Sequence, residues 1–384
     1  MYQWVIVGGG IQGSMIAAHL LHYKKVNKND LLIIDPFEQP MTKWKALTKR
    51  VGMSYLRSPS VHHLDPDPYS LKKYAKNNDY AGAFLGYYGR PRLDMFNQHC
   101  DDLVHREGVQ DCWRQGFATG LERESAQWLI SIDHADVVEA ERVILALGVN
   151  NNPHYPDWAA DLLRHKPTRV HHIFSENAET QQGRITIVGG GITAAHMAKS
   201  LAEKASEPVN LIKRHSFRVE GFDSDPGWLG PKYLHRYHRT RCYQKRRNLI
   251  QEARNRGSIT KGLRSELKTL EQKGKLTIIT DEINEAAYKN KEIKLKLMHR
   301  PAIYTENLIL ATGAEPCLPG KEWLEKTIVK HDLPCAPCGF PIVNQKLEWG
   351  EGLFVAGALA ELEIGPAARN IAGGRKAAER IVHA

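Results

Sequence analysis

Two glycine-rich turns govern what this chain can fold into. The first follows the apolar run Trp4 to Val7 and reads Gly8-Gly9-Gly10-Ile11-Gln12-Gly13; the second follows Ile185 to Val188 and reads Gly189-Gly190-Gly191-Ile192-Thr193-Ala194. In such a turn the first glycine permits the sharp bend, the second lets a pyrophosphate approach the backbone, and the third lets the helix pack on its strand. A helical stretch comes next in each case, Ser14 to Tyr23 and Ala195 to Lys204, and then a second apolar strand, Leu31 to Ile34 and Val209 to Ile212. Strand, turn, helix and strand make a nucleotide-binding unit in which a helix N-terminus faces phosphate. Gly8 and Gly189 are 181 residues apart, far beyond any solenoid repeat, so the chain carries two separate dinucleotide-binding units.

The two units differ where their second strands end. Asp35 closes the first, 22 residues after Gly13, where an acid accepts the ribose hydroxyls. The second ends in Lys213-Arg214, with Arg214 20 residues after Ala194, a residue accepted at the third glycine's place. An acid there would repel a ribose 2′-phosphate and a guanidinium fork would bind it, so NADPH is favoured over NADH. The alternative is a pair of solvated surface cations.

Further short apolar runs, Arg142 to Leu147, Leu308 to Ala311 and Leu353 to Ala356, stop beside glycines and read as buried strands. The class is α/β with mainly parallel sheet, two Rossmann-like domains in which the second is inserted into the first. Boundaries are read at Asn150 to Pro153, the polar stretch Ser175 to Gly183, and Glu315 to Pro319. The expected division is 1–164 with 326–384 for the first domain, and 165–325 for the second, with a basic helical insertion at about 225–270. A length of 384 residues is ample for two cores. No apolar run approaches the roughly 20 residues of a membrane helix. The strand-like Tyr2 to Val7 begins at once, so no signal peptide is read, and six cysteines in a chain this long make a reducing cytoplasm the expected compartment.

The formal charge of +10 is local. Between Lys232 and Arg264 stand eleven Lys and Arg residues and one acid, Glu252, while the rest of the chain holds 42 of each sign. Tyrosines interleave the cations, so a solvated helix face, attraction of NADPH or an anionic substrate, and a nucleic-acid surface are the three readings, nucleic acid the least favoured.

With these residues in view, the chain resembles the flavin-containing monooxygenase superfamily, and within it the siderophore-type lysine and ornithine N-hydroxylases. The likeness rests on Gly8-Gly10-Gly13, Trp44 with Gly52-Met53, Pro66 to Tyr74, Arg92 to Phe96, Val170-His171-His172, and Leu310-Ala-Thr312-Gly313. It implies a glutathione-reductase-like arrangement with FAD on the first turn and NADPH on the second. Flavin reduced by NADPH would activate O2 as a C4a-(hydro)peroxyflavin that oxygenates a nucleophile, most plausibly hydroxylating a primary amine nitrogen; the cofactor carries that chemistry and the protein places it. No Ser/His/Asp triad or carboxylate pair is needed, and none stands at a persuasive spacing. By the same resemblance Gly357 closes a strand beside the FAD phosphates, and Pro366 opens a helix running to about Val382 whose positive end faces the flavin. Arg57, Met53 and Asn370 are candidate flavin or substrate contacts. Departures from the family are Ala358 in place of the acid usual after that strand, Ser54-Tyr55 where a glutamine usually follows the methionine, and Asp225 to Pro231 in place of an Asn-Glu-x-Phe-x-Pro segment.

Cys335-Ala-Pro-Cys338 leaves three readings: plain thiols in a proline-rich loop, a redox pair that would make the chain an NADPH-dependent flavoprotein reductase, or part of a metal site with Cys317 and His331. A second C-x-x-C is lacking, and no metal is assigned. A flavin- and NADPH-binding module without catalysis is the remaining alternative.

Overall fold

A computed structural model describes residues 1–133, 136–165, 168–175 and 183–384. The first sheet runs in the order Glu348–Gly350, Leu353–Val355, Asp136–Leu145, Tyr2–Val7, Leu31–Asp35, Trp113–Gln115. Its centre is parallel: Tyr2–Val7 pairs with both Leu31–Asp35 and Asp136–Leu145, and Leu353–Val355 pairs with Asp136–Leu145. Segments more than 340 residues apart thus share one sheet, as an insertion requires. Ala118–Glu124 and Gln127–Ile132 form an antiparallel extension of Asp136–Leu145.

The second sheet is wholly parallel, in the order Leu276–Thr280, Val209–Lys213, Ile185–Val188, Asn307–Leu310, Val170–His172. Both of its faces are covered, which explains the unbroken apolar runs. Side chains alternate across it: Leu211 and Ile309 pack with the helices Ile192–Ala202 and Lys261–Gln272. Ile212, Leu308 and Leu310 point to the other face, against the antiparallel strands Ile283–Lys289, Glu292–Leu297 and Ile303–Thr305.

The chain crosses between the sheets twice, and the crossings lie side by side. His154 N–H donates to Gly313 O at 2.9 Å and Glu315 N–H to Asn152 O at 2.8 Å. Both expected boundaries fall late on packing grounds. Ala159 and Leu162 already belong to the core of Ile212 and Leu308, while Leu318, Trp323 and Leu324 have rejoined the core of the first sheet. Side-chain volume decides this, and linker composition does not report it. Of the expected boundary at 175–183, residues 176–182 lie outside the described residues.

The C-terminal segment differs from one continuous helix. A short helix Glu361–Ile364 ends at Gly365, whose φ of +90° and ψ of −163° are closed to other residues, and Pro366–Arg369 forms a 3-10 turn. The long helix begins only at Ile371 and ends at Val382, packed on the first helix, Ile11–His22. Among the described residues no helix is long and apolar enough to cross a membrane.

Candidate functional site

The first glycine turn has the stereochemistry that its sequence predicts. Gly8 has φ +104°, and a Cβ on it would sit 2.6 Å from Ala146 O; one on Gly13 would sit 1.8 Å from Gly8 O. Gly10 is different: a Cβ there meets nothing within 4 Å, so its surface is free for a ligand. The helix that follows has no side-chain cap, leaving its first N–H groups unclaimed by side chains. Gln12 donates from Nε2 to Ala368 O at 2.9 Å, while its Oε1 is buried without a partner. Asp35 accepts from Gly9 N–H at 2.6 Å and Phe37 N–H at 3.0 Å. Burial pushes its carboxyl pKa up against those two hydrogen bonds. Gly357, at φ +64°, faces the Gln12 amide. Open backbone, uncapped helix, orphaned amide oxygen and strand-end acid together suit the pyrophosphate and ribose of a dinucleotide.

The second turn repeats this. Gly189 has φ +156°, with Ala311 O 2.5 Å from the place of a Cβ, and Ala194 is buried at the helix–strand contact. The helix Ile192–Ala202 is likewise uncapped by any side chain. Both Gly189 and Gly191 open onto a cleft of about 1290 Å³. Arg214 stands exposed on the cleft wall with Arg218, His215 and Arg256. The loop bearing Arg256 crosses the turn, with Gly257 Cα 3.7 Å from the place of a Gly191 Cβ. Sequence reading placed Arg256 only within the basic run, because the contact that brings it to the turn is tertiary.

Lys213 also lines the cleft, but its ammonium is spent within the fold. It is 5 % exposed, and its ammonium donates to His215 O at 3.1 Å and to Thr280 Oγ1. Burial pulls its pKa down. Thr312 also spends its hydroxyl on structure, donating to His154 O across the paired crossings, and Gly313 takes φ +89° there.

Arg57 joins the two units. Its guanidinium donates to Asp223 Oδ1 at 2.7 Å, Phe222 O at 2.8 Å, Glu220 O at 2.9 Å and Ser258 Oγ at 2.9 Å, which occupies the donors a flavin contact would use. Arg50 makes a second tie, to Ile173 O at 2.8 Å and Ser175 O at 2.6 Å. Met53 lines a separate cavity of about 640 Å³ with Tyr55, Arg92 and Asn97. Asn370 caps the last helix in extended conformation and accepts from Gln12 Nε2 through its carbonyl at 3.4 Å.

The basic run divides into two parts. Arg246, Arg247 and Arg254 turn inward onto Glu363 and Glu361, and Tyr237 donates to Leu362 O at 3.0 Å. Lys232, Arg236, Arg239, Arg241 and Lys245 remain on the exposed face. Cys335 and Cys338 are both free thiols, and burial pushes the Cys335 thiol up. Cys338 Sγ accepts from Arg247 Nε at 3.4 Å, and neither thiol lines the large cleft.

Residues 5–150 match a family model described as FAD-NAD(P)-binding, and residues 122–299 match one described as L-lysine 6-monooxygenase/L-ornithine 5-monooxygenase. The two matches overlap and together span residues 5–299. The second model's description is in line with the resemblance carried by the motifs. Among solved structures, ornithine hydroxylase from Pseudomonas aeruginosa superposes with a TM-score of 0.79 at 18 % identity, covering 100 % of this chain and 98 % of that one. An ornithine N-hydroxylase from Kutzneria, solved with reduced FAD, NADP+ and L-ornithine, gives 0.76 at 14 % identity over the same shares of 100 % and 98 %. A bacillithiol disulfide reductase from Bacillus cereus gives 0.64 at 16 % identity, again over 100 % and 98 %. At these identities the likeness is one of fold. A search of curated proteins by sequence finds no match.

Proposed function

We propose that this chain is an FAD- and NADPH-dependent monooxygenase that hydroxylates the nitrogen of a primary amine, with O2 as co-substrate. The observation that carries the reading is the match to the lysine/ornithine monooxygenase model over residues 122–299, the part that holds the second glycine turn and most of the residues lining its cleft. FAD bound at the first turn supplies the redox chemistry and the activation of oxygen. This chain's residues bind, orient and exclude water. Gly8, Gly10, Gly13 and Asp35 hold FAD, with Gln12 offering its free Oε1 and Gly357 clearing space beside it. Gly189, Gly191 and Ala194 admit the NADPH pyrophosphate to the helix N-terminus, and Arg214, helped by Arg256, takes the 2′-phosphate. Thr312 and Gly313 hold the crossing between units, and Pro366 sets the turn that leads to the last helix. The division falls at the paired crossings, so that 1 to about 152 with about 315 to 384 form the FAD unit. The compartment in this reading is the cytoplasm, in keeping with six free thiols.

The reductase alternative is not favoured, because Cys335 and Cys338 stand off the cleft and Cys338 is tied to Arg247. The test is turnover. A yellow purified protein should oxidise NADPH, and an amine from a primary-amine panel should raise oxygen uptake and give a hydroxylamine product. If every amine leaves oxygen reduced only to hydrogen peroxide, the monooxygenase reading fails.

A further inference from the structure

Glu361 is fully buried, yet it is a single carboxylate surrounded by three guanidiniums. Arg369 meets it through two hydrogen bonds, Nε to Oε2 at 2.8 Å and Nη2 to Oε1 at 2.9 Å. Arg254 reaches Oε2 at 3.3 Å, and Arg247 is bound to Oε1 from the opposite side. Three positive charges against one negative leave an excess of two in a place where water screens little. Arg247 has one buried nitrogen, Nη2, with no hydrogen-bond partner among the described residues. A buried charge excess of this kind is costly unless a further negative group completes it.

The excess is presented on one side. Arg254 and Arg369 both form part of the wall of the large cleft, whereas Arg247 lies behind them over the Phe340 ring. Burial pushes the Arg254 guanidinium down to about 10, with Arg369 adding to the effect, while Glu361 is held below its usual range by the arginines in spite of its burial. The same segment adjoins the first glycine turn, since Gln12 donates to Ala368 O and Asn370 O on either side of Arg369. The same cleft wall carries Arg214 and Arg256, which the proposed function gives to the 2′-phosphate of NADPH. Arg254 and Arg369 therefore line the cleft beside the segment that Gln12 ties to the first turn, and they share the single Glu361 carboxylate with Arg247.

The geometry points to Arg369 and Arg254 as positioning residues that stabilise the negative charge that the FAD ring gains on reduction, with Glu361 setting how much positive charge is offered. This rests on FAD occupying the first turn, and it stands apart from which substrate is oxygenated. The basic run then has a purpose inside the fold, since Arg254 belongs to it and Arg369 does not.

The experiment uses the full FAD-loaded protein without amine or NADPH. Sulfite adds to oxidised flavin and leaves a negative charge on the ring, so its dissociation constant, read from bleaching of the visible band, reports local positive charge. Arg369→Gln should weaken sulfite binding about tenfold, and the two-electron potential should fall by about 30 mV, the equivalent of that factor. Arg369→Lys should recover most of both. Glu361→Gln should move both quantities the other way, tighter sulfite and higher potential, because it strips the counter-charge. Arg369→Gln matching the parent within twofold on both readouts overturns the assignment, as does Glu361→Gln shifting in the same direction as Arg369→Gln. If Glu361→Gln does not fold, the Gln and Lys variants at 369 still decide. Loss of amine turnover with these shifts intact would defeat only the monooxygenase reading.

Discussion

Gly10→Ala should leave the fold standing and deprive the chain of FAD. The residue has φ −68°, which any L-residue adopts, and an added Cβ meets nothing within 4 Å. Its position at the start of a helix makes alanine somewhat poorer than glycine, so the apoprotein should lose no more than about 1 kcal/mol. The space that the methyl enters is where a pyrophosphate must approach. Displacing it breaks hydrogen bonds from uncapped helix N–H groups to a charged acceptor, each worth about 1.5–3 kcal/mol. Two such bonds give about 3–6 kcal/mol, a loss of roughly 10²–10⁴ in FAD affinity. Gly13→Ala is the control with the opposite cause. Its Cβ would lie 1.8 Å from Gly8 O, so helix and strand must separate, at about 1–3 kcal/mol or more of stability. Denaturant unfolding of the two apoproteins and FAD titration followed by fluorescence quenching separate these effects. The reasoning is refuted if Gly10→Ala binds FAD as tightly as the parent, or if it unfolds as readily as Gly13→Ala.

Arg214→Glu should raise the KM for NADPH more than tenfold while leaving NADH nearly unchanged, since only the 2′-phosphate meets the reversed charge; an unaltered NADPH KM removes Arg214 from the site. Lys213→Met should cost stability and barely move that KM, because the ammonium is committed to Thr280 and the His215 carbonyl; a KM change matching that of Arg214→Glu would show the burial argument wrong. Cys338→Ser should leave NADPH turnover within about twofold, whereas a thiol-relay reductase would lose its activity. Acid should destabilise the protein: burial pulls His19, His99, His171 and His172 each from 6.5 to about 4, so protonation favours the unfolded chain. Their stabilisation is complete above 6.5 and is lost as pH falls toward 4, at up to about 1.4 kcal/mol per pH unit for each group. A denaturant midpoint that stays flat between pH 6.5 and 4.5 would contradict this.

Much of the fold was legible because the informative signals are local. A glycine at each turn, an apolar run before it and an acid or base after it lie within about 30 residues, the span of one strand–helix–strand unit. That spacing alone puts Gly10 in the turn before a helix, Asp35 at a strand end and Arg214 just after the matching strand, and the structure has them there. Arg256 could not be placed that way, since it reaches the second turn only through the loop that packs Gly257 against Gly191. Lys213 was misleading for a related reason: adjacent strand residues face opposite ways, so one of the pair Lys213-Arg214 had to point inward, and sequence does not say which. The helix expected from Pro366 begins only at Ile371, after a 3-10 turn, because the chain turns there to bring 368–370 against Gln12, a contact across more than 350 residues. The boundaries shifted for the same kind of reason, as Leu162 and Trp323 follow the core that accepts them.

The basic run shows how far net charge can mislead when taken along the chain. Counted over residues 232–264 it is +10, which invites an external polyanion. Its inward cations meet acids placed about a hundred residues later, Glu361 and Glu363, which no local window contains. Those acids neutralise only part of the charge. If Glu361 existed simply to pair an arginine, one guanidinium would suffice, and the other two would be a desolvation cost without return. Their retention at the cleft wall is better explained by a partner whose negative charge is present during only part of the cycle. A group charged throughout would call for permanent pairing of the sort Arg57 has with Asp223. A redox cofactor that gains charge on reduction meets that requirement, and a solvated surface does not.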